Sequence, residues 1–165
     1  MNLSIFDIFS VGIGPSSSHT VGPMRACQAF SQLLETQQHL PQVARIQVTL
    51  YGSLALTGEG HGTLPALVYG LLGHQPEDTE PSAMRAAFAE VSQHGQLVLS
   101  PERVITFYPD EHIHLDTQTT LEAHSNALQC EAFDANNQLL VRKIYYSIGG
   151  GFIVDHDQQE AGDEH

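Results

Sequence analysis

Apolar positions recur along this chain with two different periods. Across residues 20–34, Val21, Met24, Ala26, Cys27, Phe30, Leu33 and Leu34 fall near helical spacing and predict a helix. Pro23 is tolerated only in a first turn, so the helix starts near Thr20, with Ser18 or Thr20 as candidate caps. Over residues 45–51 the period drops to two. Ile46, Val48 and Leu50 share one face, and Gln47 and Thr49 the other, the signature of a half-buried strand. Residues 63–72 are apolar and glycine-bounded, which predicts a short buried helix, and residues 81–94 place Met84, Ala87, Phe88 and Val91 at helical steps. Further strands are expected over residues 102–108, 113–116, 128–133 and 139–146, the last two joined by the turn Asp134-Ala135-Asn136-Asn137. The succession predicts an α+β fold: a mostly antiparallel sheet with helices packed on one face. Residues 1–154 form the expected domain, and the acidic, polar residues 155–165 read as a linker or tail.

Composition narrows the function classes. At 165 residues and 41% hydrophobic content, the chain can bury one core of ordinary domain size. Its formal charge is −13, from nineteen acids against six bases. Nucleic-acid binding requires a basic stripe that six scattered Lys and Arg do not supply, and an acidic surface disfavours anionic membranes. Residues 1–13 are apolar but lack the basic flank and cleavage site of a secretory signal, and no run reaches the ~18 apolar residues of a membrane span. A cytoplasmic location is expected. Cys27 lies in an apolar helical stretch and Cys130 in an alternating strand, so both read as buried free thiols rather than a disulfide.

Candidate chemistry concentrates in two glycine loops. Gly12-Ile13-Gly14-Pro15-Ser16-Ser17-Ser18-His19-Thr20 sets glycines, three serines and an imidazole before a helix start, where backbone N–H groups and the helix dipole favour an anion. A capping loop with surplus serines has the same composition. Forty residues later, Gly58-Glu59-Gly60-His61-Gly62-Thr63 presents His61 between two glycines, open to a role as general base or to that of an exposed loop histidine. Ten histidines invite a metal-binding reading, which tight zinc uptake would support. Yet His112 and His114 lack a third nearby ligand, and no zinc helix motif occurs. Neither a Gly-x-Ser-x-Gly elbow nor a phosphate-binding Walker loop is present.

Four segments carry a specific likeness: Ser4-Ile5-Phe6-Asp7-Ile8-Phe9; Gly14-Pro15-Ser16-Ser17-Ser18-His19-Thr20-Val21-Gly22-Pro23-Met24; Tyr51-Gly52-Ser53-Leu54-Ala55-Leu56-Thr57-Gly58 with Gly60-His61-Gly62-Thr63; and Tyr145-Tyr146-Ser147-Ile148-Gly149-Gly150-Gly151-Phe152. Together they closely resemble the β domain of iron–sulfur L-serine dehydratases, across nearly the whole chain. The resemblance implies a cluster-bearing α domain, in the same polypeptide or a separate one, whose three cysteines hold a [4Fe-4S] cluster that this chain does not bind. It implies that the cluster acts as Lewis acid toward the serine hydroxyl while a base removes the α-proton. The products are pyruvate and ammonia. On this resemblance His61 is the expected base. Ser16, Ser17, Ser18, His19 and Thr63 are expected to hold the substrate, with His124 and Asn126 closing the pocket at the α-domain interface. The isolated chain is expected to be inactive and to form a homodimer. The family's β domain also resembles in fold the allosteric substrate-binding domain of some phosphoglycerate dehydrogenases, so a serine-sensing role without chemistry is the alternative.

Overall fold

The computed structural model describes residues 19–58, 62–119, 126–149 and 152–157. Five helices and seven strands follow in chain order: α1 (Val21–Thr36), β1 (Arg45–Tyr51), α2 (Gly52–Thr57), α3 (Thr63–Leu71), α4 (Pro81–His94), β2 (Gln96–Ser100), β3 (Arg103–Thr106), α5 (Pro109–His112), β4 (Ile113–Asp116), β5 (Asn126–Phe133), β6 (Leu139–Gly149) and β7 (Phe152–Asp155). The main sheet has the order β4-β1-β5-β6-β7, and β2 pairs with β3 in a separate two-stranded sheet. Only β4 runs parallel to its neighbour β1; the other pairs are antiparallel. The α+β expectation holds.

Strand alternation decides where the core lies. In β1 the burial alternates strictly, and the register sets Ile46 against Ala132, Val48 against Cys130 and Leu50 against Leu128. These side chains, fully buried, join Phe30 and Leu34 of α1, Leu67 and Leu71 of α3, Val91 of α4, and Leu97 and Ile105 of the hairpin in one apolar cluster. The helices and hairpin therefore cover one face of the sheet. The opposite face carries polar contacts: Gln47 meets His114 at 2.8 Å, Arg142 grips Glu131 through Nε and a terminal nitrogen, and the Arg45 guanidinium lies 4.1 Å from the Phe133 ring centre.

The α1–α3 contact is unusually close at Gly70, where a Cβ would lie 2.3 Å from the Met24 carbonyl oxygen. Glycine is required there by proximity rather than by backbone dihedral. Cys27 and Cys130 are free and buried. Burial, and then the neighbouring Cys27 thiol, push the Cys130 thiol well above its ordinary range.

Several local expectations shift. Thr20 is the N-cap of α1 by position, but its side chain makes no cap hydrogen bond; Ser18, the other candidate, lies outside the described residues. The strand expected over residues 102–108 is confined to Arg103–Thr106 and belongs to the small sheet. His112 ends α5, just before β4: its Nδ1 accepts the Tyr108 N–H at 2.9 Å and its ring stacks on Phe107. β7 extends through Asp155, and Lys143 bonds both Asp155 and Asp157. The turn after β5 forms as expected. Asp134 Oδ1 accepts the N–H groups of Asn136 and Gln138, and Asn137 takes a positive φ of 64°.

Candidate functional site

The polar centre of the molecule lies at the carboxyl end of β1. There Gly52, at φ 57°, turns the chain out of the strand and directly into α2. Gly52 also bridges Asn126, the first residue of β5. Ser53 follows in the first turn of α2, and its Oγ lies 3.0 Å from His19 Nε2. On the other side of His19, the Thr63 hydroxyl donates to the His19 carbonyl oxygen. Thr63 opens α3 and is itself positioned by Gly62, the N-cap, at φ 73°. His19 is thus held twice, at its ring by Ser53 and at its backbone by Thr63.

Strand register adds further groups. Ala127 pairs with Tyr146, which sets Ser147 beside the start of β5 on the face where the helices pack; Ser147 and Thr63 are both buried. Asn126 Oδ1 is likewise shielded from solvent. Asp116 ends β4 opposite Tyr51. N–H groups of Thr119 and Gln118 donate to Asp116 Oδ1 at 3.0 Å, and hydrogen bonds from these two residues hold its carboxyl below the usual range. Burial raises the Tyr51 hydroxyl, with Asp116 and Glu131 adding to the effect.

Electrostatics at this end differ from those of the rest of the surface. Helices α1 and α3 both start here, neither has an acidic residue in its first turn, and no side-chain cap hydrogen bond is made at Thr20 or Gly62, their N-cap positions. Five of the chain's six Lys and Arg side chains bond partners outside this group of residues. Arg25 pairs with Glu77, Arg45 bonds Gln47 and Asn137, and Arg103 bonds the Val43 carbonyl. Arg142 pairs with Glu131, Lys143 pairs with Asp155 and Asp157, and Arg85 lies within α4. An anion at the His19 end therefore meets helix N–H groups, hydroxyls and imidazole rather than Lys or Arg of this chain. A cavity of about 530 Å³, lined by Glu35, Gln38, Leu40 and residues 100–103, lies by the start of β1. The length of β1 separates it from His19 by roughly 20 Å.

Of the residues expected from sequence, the structure brings together His19, Thr63 and Asn126. Ser16, Ser17, Ser18, His61 and His124 lie outside the described residues. Ser53 was missed as a site residue, because a serine after Tyr51-Gly52 carries no signal until β1 is seen to end against β5. Among the described residues, no group of three His, Cys, Asp or Glu side chains is arranged to hold a metal ion. The two cysteines, both buried in the core, do not fit as ligands of an iron–sulfur cluster. No helix among the described residues is long and apolar enough to cross a membrane.

Fold and site together define an α+β domain with one polar node at the end of its sheet. The family described as serine dehydratase beta chain matches residues 4–158, and this chain belongs to it. The chain is 42% identical over 157 residues to an L-serine dehydratase of Streptomyces coelicolor, covering 95% of this chain and 34% of that protein. It is 41% identical over 158 residues to L-serine dehydratase 2 of Escherichia coli, covering 94% and 34%. Against the L-serine dehydratase of Haemophilus influenzae it is 41% identical over 153 residues, covering 93% and 34%. The chain spans about a third of the length of these relatives.

Proposed function

We propose that this chain is the β domain of an L-serine dehydratase and supplies substrate-holding and proton-removing side chains to a site that an α domain completes. The carrying observation is the node at which Ser53 and Thr63 hold His19, while Gly52, next to Ser53, bridges Asn126. Covalent connectivity extends it: Ser18 adjoins His19, His61 is two residues from Thr63, and His124 is two residues from Asn126.

The chemistry is a β-elimination. A base takes the proton from the α-carbon of serine, the electron pair forms the Cα–Cβ double bond, and the hydroxyl leaves from Cβ as water on taking up a proton, which balances the one the base removed. The aminoacrylate tautomerises to an imine, and water hydrolyses it to pyruvate and ammonia. A cluster held by the α domain would supply Lewis acidity toward the departing hydroxyl. His61, flanked by glycines, is the proposed base. Ser16, Ser17, Ser18 and His19, with the start of α1, hold the carboxylate. The Thr63 hydroxyl donates its hydrogen bond to the His19 carbonyl, so it fixes His19 and offers a substrate ammonium only lone pairs. His124 and Asn126 close the site.

Exposed apolar side chains support a covering partner at this end. Leu56 of α2 is 72% exposed, and Ile148 and Phe152 are about half exposed where β6 passes into β7. The isolated chain therefore lacks turnover and associates as a dimer through the same surface. The reaction is read as cytoplasmic.

A regulatory reading, in which the same node senses serine without chemistry, is separated by kinetics of the complete protein. His61→Ala lowers kcat by about 100-fold or more if His61 is the base. Retained kcat with altered cooperativity toward serine refutes the base assignment and favours the sensor.

A further inference from the structure

We propose that Ser53 is a positioning residue that sets the ring orientation of His19, and through it the grip on the substrate carboxylate. The kinetic half of this proposal rests on the function proposed above; the structural half does not.

Ser53 occupies the first turn of α2, where a serine ordinarily serves its own helix. Instead its Oγ faces an imidazole 34 positions back in the chain, at 3.0 Å from Nε2. Two features make this placement specific. Gly52 at φ 57° swings the chain out of β1 so that Ser53 faces the start of α1, and the Gly52–Asn126 bridge anchors that turn to the sheet. The Thr63 hydroxyl pins the His19 carbonyl, so backbone and ring are fixed from two different elements.

The partner type also matters. A hydroxyl donates to a bare ring nitrogen and accepts from a protonated one, so Ser53 keeps its contact with both neutral and cationic imidazole. A carboxylate in its place could only accept, from a protonated ring nitrogen, and would bias the ring toward the cation. In a chain whose six Lys and Arg are placed elsewhere, a held imidazole is the group that gives a carboxylate a directed side-chain donor. A freely turning ring would lose much of that direction.

The test uses the full chain with ¹⁵N-labelled histidine, in long-range ¹H–¹⁵N spectra that report each ring's tautomer. His19→Gln assigns the His19 signals, and the other nine rings are internal controls. Ser53→Ala is expected to shift the His19 pattern alone, and Ser53→Thr to restore it. Ser53→Cys, similar in shape but a poor donor, replaces Ser53→Ala if that variant unfolds. In the complete protein, Ser53→Ala is expected to raise KM for L-serine about tenfold, the loss of one directed hydrogen bond to a charged group, with a smaller change in kcat. Unmoved His19 signals in Ser53→Ala overturn the proposal whatever the kinetics. Shifted signals with KM unchanged in both Ser53→Ala and His19→Gln overturn the assignment of His19 to the substrate, and with it the kinetic half alone.

Discussion

Gly70→Ala sets two physical effects of opposite sign against each other. Gly70 lies in α3, and alanine in a helix interior is intrinsically better than glycine by about 1 kcal/mol. Helix propensity alone therefore predicts a more stable protein. The new methyl carbon, however, would start 2.3 Å from the Met24 carbonyl oxygen and 3.0 Å from Cys27 Cβ, both in α1. Carbon–oxygen contacts ordinarily begin near about 3.3 Å, so α1 and α3 must separate by about 1 Å. The obstacle is backbone, which has no rotamer to change, and overpacking of that kind costs about 3 kcal/mol, the upper part of the usual range. The net expectation is a loss of about 2 kcal/mol. For a chain of this size that lowers the melting temperature by about 4–8 °C, read by calorimetry with wild type alongside. An unchanged or raised melting temperature would refute the packing account and leave propensity as the dominant effect. The same displacement would pull His19 away from Thr63, since α1 follows one and α3 begins with the other.

Three further outcomes are expected. Gly62 sits at φ 73° with open space around its Cα, so Gly62→Val suffers backbone strain alone, about 1–2 kcal/mol, whereas Gly62→Asn tolerates the conformation; a smaller melting loss for valine than for asparagine would contradict this. The Lys143 hydrogen bond holds the Asp157 carboxyl below its ordinary 3.8, so this contact contributes stability above that value that is lost as the pH falls through the lowered one. For Lys143 itself, burial works downward but the hydrogen bonds it donates to Asp155 and Asp157 prevail and raise it above 10.5, so its share is lost only in alkali. Lys143→Met should return the Asp157 midpoint upward in a carboxyl-carbon NMR titration, and an unmoved midpoint would remove Lys143 as the cause. Finally, Cys27 and Cys130 should resist a thiol reagent at neutral pH in the native chain and react as two thiols in denaturant. Rapid native labelling would show that the core between α1 and β5 opens.

Much of the frame was legible in the sequence because burial and periodicity coincide there. β1 alternates without interruption and α4 keeps helical spacing from its Pro81 start, so both have the limits expected of them. Other elements carried weaker signals. In β2 the consecutive Leu97, Val98 and Leu99 conceal the alternation, and its partner β3 is only four residues long. α2 begins inside Gly52 without a gap after β1, where neither period has room to develop. For the site, glycine spacing and helix starts pointed to His19 and Thr63, but the link between them is a long-range hydrogen bond that no local pattern encodes. Ser53 was hidden for the same reason: its role depends on where β1 ends relative to α1.

The central claim is that L-serine binds at the carboxyl end of β1, against the start of α1. A structure of the complete protein with L-serine bound tests it most directly. The account predicts the substrate carboxylate within hydrogen-bond reach, about 3 Å, of the His19 ring or of the N–H groups that open α1. Serine seated near the start of β1, roughly 20 Å away along the strand, would contradict it.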